Sequence, residues 1–204
     1  MVFVYFVRHG ETDWNVQKKF QGQSDEPSLT EIGKIQSQLM GTKLSTRGIS
    51  FSHIYYSDLR RTRNTAILIN RSSENHVPYQ NVSPSSLLRE RDMRDIEGIS
   101  YDDYPPKNVL HDWDYRHRNE ETYGEIYQRL MKFFSEEIRR FYGDEENILC
   151  VVHGGIIRTL LYGFYQNTLK PYEAVQTKNT GYLTIHLDST TGELTLKEIH
   201  SITF

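Results

Sequence analysis

Short apolar runs alternate along the chain with longer segments in which apolar residues recur at helical spacing. The runs VFVYFV (residues 2–7), HIYYS (53–57) and the start of NILCVVHGG (147–155) are rich in β-branched and aromatic residues. Continuous runs of this kind are typical of strands that are buried on both faces of a sheet. The alternation predicts an α/β fold of three layers, in which helices flank both faces of a mostly parallel sheet.

Helical spacing predicts four helices, in segments 29–44, 58–70, 122–143 and 156–165. Thr30 is a candidate N-cap of the first helix, and Thr122 with Glu125 forms a capping box at the start of the third. The polar stretch 71–86 contains two prolines and predicts a loop with a short edge strand. The C-terminal segment 182–204 predicts a β-hairpin.

The predicted strands carry cationic and imidazole side chains at their carboxyl ends. Arg8 and His9 end the first strand, His153 and Gly154 follow the third, and Arg61 lies just beyond the second. In an open α/β sheet the ligand site lies outside the carboxyl ends of the strands. Guanidinium groups, imidazoles and helix N-termini at one edge favour an anion. A phosphate fits best, because a guanidinium binds two of its oxygens in a planar fork.

Phosphoryl transfer needs a nucleophile, cations around the phosphate oxygens and a proton for the leaving group. A neutral imidazole of His9 can attack phosphorus and form a phosphohistidine, because the reference pKa of histidine is about 6.5. Glu90 is the candidate general acid and base. The pattern alone leaves this role open among several carboxylates: Glu11, Asp58, Glu90, Asp92 and Asp95.

Six sequence blocks occur in an order that is itself informative: VRHGETDWN, QGQSDEPSLTEIGKIQ, IYYSDLRRTRNTA, LLRERDMRDIEG, VVHGGIIR and NTG. Together they touch most of the chain. In these blocks the chain resembles the histidine phosphatase superfamily, also called phosphoglycerate mutase-like. The first block is similar to the form found in the phosphoglycerate mutase and fructose-bisphosphatase branch. The resemblance implies that family's fold and a phosphohistidine mechanism.

By this resemblance His9 is the nucleophile and Glu90 the general acid and base. It also implies a phosphate pocket formed by Arg8, Asn15, Arg61, His153 and Gly154. Gln21 and Gly22 match a segment that lines the substrate side. The chain departs from the family pattern near the acid, where Arg94 replaces the usual glycine, and this implies an altered substrate rim.

Length and composition limit the number of domains, the partners and the cellular location that we expect. A length of 204 residues fits a single domain, with residues from about 90 to 121 forming an excursion over the active site. A net charge of −3 argues against a nucleic-acid partner. The lone Cys150 excludes an internal disulfide and is expected in the core, and no stretch reaches transmembrane length. These features predict a cytoplasmic protein without a membrane partner. The basic residues 116–118 either form part of a solvent-exposed charged face or contact a second anionic group.

The sequence therefore predicts a metal-independent phosphomonoester hydrolase that needs no cofactor and acts on a small phosphorylated metabolite, and it leaves a homodimer open. A cofactor-dependent phosphoglycerate mutase is the alternative within the family. The short stretch between Glu90 and His153 favours an open pocket and hence hydrolysis. Outside the family, His9, Glu11 and His153 mimic the ligands of a non-haem iron oxygenase, although the neighbouring arginines disfavour a cation. A non-catalytic module that binds phosphorylated ligands is the remaining alternative.

Overall fold

A computed structural model describes residues 1–103, 119–143, 145–165 and 175–203, and within these ranges its centre is a six-stranded sheet. The strands in chain order are β1 (Val2–Arg8), β2 (His53–Ser57), β3 (Val82–Ser85), β4 (Glu146–Val152), β5 (Gln176–Leu187) and β6 (Leu194–Thr203). The basic cluster at 116–118 lies outside the described residues.

The strand order across the sheet is β3-β2-β4-β1-β5-β6. β3, β2, β4 and β1 pair in parallel, whereas β5 runs antiparallel to both β1 and β6. The predicted α/β class is confirmed, and the predicted C-terminal hairpin makes the sheet a mixed one. β3 contains Pro84 and forms an edge of the sheet, where a residue without a backbone N–H is tolerated.

The described residues form five α-helices: α1 (Asp13–Val16), α2 (Glu31–Thr46), α3 (Arg60–Ser72), α4 (Tyr123–Phe133) and α5 (Gly154–Phe164). The Thr30 hydroxyl accepts the Gly33 N–H at 3.0 Å, and the Thr122 hydroxyl accepts the Glu125 N–H at 3.2 Å, which confirms both predicted caps. No helix among the described residues has the length and apolar character needed to cross a bilayer.

α4 ends earlier than its apolar stripe predicts. After Phe133 the chain continues as a π-helical turn, Phe134–Ile138, and then as a 3-10 turn, Arg139–Phe141. The wider π turn allows the successive residues Phe133 and Phe134 both to lie in the core, and Ile138 and Phe141 follow them there. The predicted stripe is therefore buried, although a single regular helix does not carry it.

Both faces of the sheet are covered, as the continuous apolar runs predict. Along β1, Val4 and Phe6 face a core that includes residues of α4 and α5, whereas Tyr5 and Val7 face a second core that includes residues of α2 and α3. This alternation is the two-residue period of a strand. Cys150 of β4 is fully buried in the first of these cores.

Parallel pairing brings the ends of the central strands to one edge of the sheet. Arg8 at the end of β1 is paired with Val152 at the end of β4, and the His9 N–H donates to the Val152 carbonyl at 3.0 Å. β2 continues the same edge, because Tyr56 is paired with Val151. The segments that carry the predicted site residues therefore begin side by side.

The loop after β1 packs directly against the first turn of α2. A Cβ built on Gly10 would lie 2.3 Å from the Gly33 carbonyl oxygen, and one built on Gly33 would lie 2.0 Å from the Glu11 carbonyl oxygen. The Thr30 N–H donates to the same Glu11 carbonyl at 3.0 Å. Two glycines thus permit a backbone contact that fixes the position of His9.

Replacing Gly33 by alanine is expected to lower the free energy of unfolding by about 2 kcal/mol, because the added methyl group forces α2 away from the loop after β1. Urea denaturation measures this change. Gln38→Ala, at an exposed position of the same helix, is the matched control. Equal unfolding free energies for the two variants would contradict the close contact.

Candidate active site

An open cleft of about 860 Å³ lies at the carboxyl ends of β1, β2 and β4. Eight of the nine predicted site residues line it: Arg8, His9, Asn15, Gln21, Gly22, Arg61, Glu90 and Gly154. The ninth, His153, is fully buried behind His9.

The two imidazoles lie against each other at the base of the cleft. The ring centroids of His9 and His153 are 5.3 Å apart, with an interplanar angle of 66°. His9 Nδ1 lies 2.7 Å from the Gly10 carbonyl oxygen. Because a carbonyl can only accept a hydrogen bond, Nδ1 carries the proton and Nε2 keeps its lone pair. The amino-acid sequence does not identify this partner of Nδ1.

Burial and nearby cations keep both imidazoles neutral. The pKa of His9 lies well below its ordinary value, mainly because the ring is buried and further because Arg61 and Arg8 are close. Burial is also the main cause of the lowered pKa of His153, followed by Arg61 and His9. Both ring nitrogens of His153 are buried and have no hydrogen-bond partner among the described residues.

Arg61 is buried, with 1% of its surface exposed, and its guanidinium is held by backbone carbonyls. It donates to the Ser24 and Gly22 carbonyl oxygens, each at 2.7 Å, while its Nε lacks a partner among the described residues. Burial lowers the pKa of Arg61 to about 10, so it remains a cation at neutral pH. Arg8 is held in the same way by the Thr177 carbonyl, and its buried Nε is likewise unpartnered in the described part of the chain.

The Glu90 carboxylate faces the N-terminus of α5. Its Oε2 accepts the Gly155 N–H at 2.9 Å, and its Oε1 accepts the Arg91 N–H at 2.8 Å. A Cβ on Gly155 would lie 2.0 Å from Oε1, so the carboxylate can approach only because this residue is glycine. Glu90 and Asp102 are the two carboxylates among the described residues that line the cleft.

The other carboxylates that the sequence left open do not line the cleft. Glu11 accepts the Thr30 hydroxyl at 2.7 Å, and Asp58 pairs with Arg89 at 2.6 Å. The Glu11 carboxylate is thus bound to Thr30 and does not line the cleft beside His9. Among the described residues there is also no cluster of three or more His, Cys, Asp or Glu suited to a metal ion.

Asn15 acts as a helix-cap partner and also lines the cleft. Its side-chain oxygen accepts the Thr12 N–H at 3.1 Å and the Asn179 amide at 3.2 Å. This leaves its amide NH2 as the group that can donate to a ligand. Gly22 adopts a left-handed conformation, with φ of +47°, and the side-chain oxygen of Gln21 is buried without a partner among the described residues.

Several residues of the cleft are absent from the sequence prediction, among them Lys18, Tyr101, Arg158 and Asn179. The Asn179 amide donates to the His9 carbonyl at 3.1 Å and so ties the end of β1 to β5. Asn179 belongs to the sequence block NTG, but the sequence of this block did not indicate a contact with His9. Arg158 follows Gly154 by four residues, and this spacing places both residues on one face of α5. The same spacing in the sequence could have indicated that Arg158 lies near the site.

Comparison with known proteins identifies the family of the chain. The family model of the histidine phosphatase superfamily (branch 1) matches residues 4–200. A broad-specificity phosphatase of Saccharomyces cerevisiae is 33% identical over 164 residues, which cover 79% of this chain and 69% of the yeast protein. A 2,3-bisphosphoglycerate-dependent phosphoglycerate mutase of Brucella ovis is 30% identical over 203 residues, or 96% of each chain.

Solved structures include proteins with a similar fold. The crystal structure of a phosphoglycerate mutase from Bacillus anthracis superimposes with a TM-score of 0.80 and 23% identity, covering 97% of this chain and 92% of that one. The fold, the matched family model and the relatives confirm the family that the sequence blocks indicated. The chain belongs to the histidine phosphatase superfamily.

Proposed function

We propose that the protein hydrolyses monophosphate esters of small metabolites, with His9 as the nucleophile and Glu90 as general acid and then general base. The observation that carries this proposal is a neutral imidazole, with its Nε2 lone pair available, surrounded by buried donors without protein partners among the described residues. The donors on Arg8, Arg61 and His153 are suited to the three outer oxygens of a phosphate group. The Asn15 amide and the Gly154 N–H, at the start of α5, supplement them.

The proposed reaction takes place in two steps: the first places the phosphoryl group on His9, and the second removes it. In the first, Nε2 forms a bond to phosphorus, the bond from phosphorus to the ester oxygen breaks, and protonated Glu90 gives its proton to that oxygen. In the second, ionised Glu90 takes a proton from water, and the resulting hydroxide attacks phosphorus. The bond from phosphorus to nitrogen breaks, which releases inorganic phosphate and restores His9.

Electrostatic stabilisation is the main contribution expected from the cations. Negative charge grows on the outer oxygens as the phosphoryl group transfers, and the buried guanidinium groups are already oriented by backbone carbonyls. Removing one preorganised donor of this kind costs about 3 kcal/mol in the transition state. Neutral His9 is equally necessary, because a protonated ring would repel the cations and have no lone pair for phosphorus.

A phosphoglycerate mutase is the second candidate, and the similarity to the Brucella ovis enzyme favours it. The difference lies in whether water or a second hydroxyl group attacks the phosphohistidine. Parts of the predicted excursion, Met93, Tyr101 and Asp102, line the cleft, and residues 104–118 of it lie outside the described chain. Release of inorganic phosphate from 3-phosphoglycerate supports the hydrolase, whereas its conversion to 2-phosphoglycerate in the presence of bisphosphoglycerate supports the mutase.

His9→Ala is expected to abolish hydrolysis of p-nitrophenyl phosphate, because no group remains to attack phosphorus. The wild-type protein, quenched during turnover of a ³²P-labelled ester, should carry acid-labile, base-stable radioactivity that His9→Ala lacks. His76→Ala, at an exposed histidine, is the matched control.

Treatment of the wild-type protein with EDTA should leave its rate unchanged in the same assay. Normal turnover by His9→Ala would remove the nucleophile assignment. Loss of the wild-type activity on chelation, restored by an added metal ion, would contradict the metal-independent mechanism.

Glu90→Gln is expected to slow hydrolysis in a way that depends on the leaving group. Alkyl phosphates need a proton on the departing oxygen, so their rate should fall by about 10²- to 10⁴-fold. p-Nitrophenolate leaves without protonation, so formation of its phosphoenzyme should fall far less. Burst kinetics with the two esters measure the difference. Asp102→Asn, at the other carboxylate of the cleft, is the control, and an equal loss for both esters in Glu90→Gln would contradict the acid role.

The free energy of unfolding of the ligand-free protein is expected to fall as the pH drops below about 6.5. Unfolded histidines take up protons at that pH, whereas the folded pKa values of His9 and His153 are lowered. Their stabilising contribution is therefore complete above the unfolded pKa and is lost as the pH falls towards the folded pKa. Each contributes at most about 1.4 kcal/mol per pH unit. Urea denaturation across this range measures the slope.

The double variant His9→Asn, His153→Asn should flatten that slope, while the exposed His76→Asn should leave it unchanged. A double variant with the wild-type slope would show that neither imidazole is held neutral.

A further inference from the structure

A largely buried ion pair contacts the segment that carries Glu90. Arg129 of α4 binds Glu121 through two hydrogen bonds, from Nε to Oε1 at 2.6 Å and from Nη2 to Oε2 at 2.9 Å. The Arg129 and Glu121 side chains are only 16% and 15% exposed. Neither is among the described residues that line the cleft, and the mechanism proposed above uses neither of them.

The other donors of Arg129 bind the backbone around Glu90. Nη1 donates to the Leu87 carbonyl at 2.7 Å, and Nη2 donates to the Glu90 carbonyl at 3.1 Å. The N–H donors of a guanidinium form a rigid planar fork. Because Glu121 holds one side of this fork, the direction of the remaining donors is fixed, and so is the position of the two carbonyls that accept from them.

Glu121 holds the same segment on the other side of Glu90. The Asp92 N–H donates to Glu121 Oε2 at 3.2 Å, and the Glu121 N–H donates to the Asp92 carbonyl at 2.8 Å. Arg91 Nε donates to the Glu121 carbonyl at 2.6 Å. The chain is therefore held up to Glu90 by Arg129 and beyond it by Glu121.

The direction of the Glu90 carboxylate depends on where this backbone lies. Its Oε2 accepts the Gly155 N–H at 2.9 Å, and the carboxylate is so close to α5 that a Cβ on Gly155 would lie 2.0 Å from Oε1. The Glu90 carbonyl accepts a second hydrogen bond, from Gln23 Nε2 at 3.1 Å. A shift of the Glu90 backbone would thus move the carboxylate against α5 or away from it.

We infer that Arg129 is a positioning residue for the general acid. Its pairing with Glu121 fixes the guanidinium, and the guanidinium fixes the backbone of Glu90 so that the carboxyl group reaches the ester oxygen of a substrate bound at His9. This inference rests on the proposed function, because it takes Glu90 as the group that gives a proton to the ester oxygen. Arg129 acts through Glu90 and has no direct part in the reaction.

Arg129→Lys separates the geometry of this contact from its charge. Lysine keeps a positive charge beside Glu121, and also beside His153, whose pKa is lowered by burial and then by Arg61, His9 and Arg129. It has one nitrogen, which cannot bind the carboxylate and both backbone carbonyls in the directions of the guanidinium fork. The variant therefore tests position, with the charge retained.

Arg129→Lys should slow the reaction in a way that depends on the leaving group. Formation of the phosphoenzyme from glycerol 3-phosphate should fall by about 10- to 10²-fold, the effect of a small misplacement of a reacting group. Formation from p-nitrophenyl phosphate should fall far less, because its leaving group needs no proton. Rapid quenching measures both rates. Lys132→Gln, which removes an exposed charge from the same helix, is the matched control and should change neither rate.

A double variant distinguishes positioning of the acid from a general structural role. If Arg129 acts through Glu90, then Arg129→Lys should cause almost no further loss with glycerol 3-phosphate when Glu90→Gln is already present. A general disturbance of the site would add to the loss in Glu90→Gln and would affect the two esters equally. That result would overturn the inference.

Hydrogen exchange tests the position of the segment without any activity. In Arg129→Lys the backbone amides of residues 87–92 should exchange faster, because the Asp92 N–H depends on the Glu121 carboxylate that Arg129 orients. The amides of β1 should exchange as in the wild-type protein, and Lys132→Gln should match the wild type throughout. Unchanged exchange in residues 87–92 would overturn the inference, and so would an equal increase in β1, which would indicate a general loss of stability.

The outcomes separate this inference from the proposed function. Leaving-group dependence in Glu90→Gln without any in Arg129→Lys would keep the acid assignment and overturn the positioning role. An equal loss for both esters in Glu90→Gln, or no hydrolysis of either ester by the wild-type protein, would overturn the function proposed for Glu90. In that case hydrogen exchange decides: a local increase in residues 87–92 supports Arg129 as the residue that positions Glu90, and no increase overturns it.

Discussion

A neutral imidazole held among buried guanidinium groups is the constraint on which this site depends. The proposed role of His9 requires its lone pair, and burial of the ring, followed by the nearby positive charges of Arg61 and Arg8, lowers its pKa. In the proposed mechanism the same charges stabilise the phosphate oxygens, so one set of cations both helps to keep the nucleophile neutral and binds the substrate. Burial strengthens both effects, because fewer water molecules screen the charges. The arrangement requires rigid supports, since, besides burial, Arg8 lowers the pKa of Arg61 and both lower that of His9.

Backbone carbonyls supply that support without cancelling the charge. Arg61 is held by the Gly22 and Ser24 carbonyls, and Arg8 by the Thr177 carbonyl, so these hydrogen bonds orient each guanidinium through neutral acceptors. A carboxylate partner would have competed with the phosphate. Arg129 provides the contrast: it pairs with Glu121 at 2.6 Å and also donates to the Glu90 carbonyl at 3.1 Å. There the neutralised cation orients the segment that carries Glu90, the proposed acid.

The sequence predicts those parts of the protein that depend on local patterns. Apolar runs identify β1, β2 and β4, and the cap at Thr30 locates a helix, because both signals lie within a few neighbouring residues. The strand ends bring Arg8, His9 and Arg61 to one cleft, as parallel pairing requires. The Gly10 carbonyl that fixes the His9 tautomer was not predictable, since every residue has a carbonyl and only the fold aims this one. The placement of His153 behind His9, outside the cleft lining, likewise depends on three-dimensional packing.

The distribution of the site between strands and loops explains why family is easier to infer than substrate. His9 and His153 directly follow central strands, where pairing and two cores restrict movement, and this geometry suits any phosphate ester. Other parts of the cleft lining come from loops, and in one of them Lys18 adopts φ of +52°. Arg94 stands where the family usually has glycine and adopts φ of +51°, with its N–H and guanidinium both bound to Asp92. Such local hydrogen bonds offset an unfavourable backbone conformation, so loop residues can change charge and shape while the phosphate site stays the same.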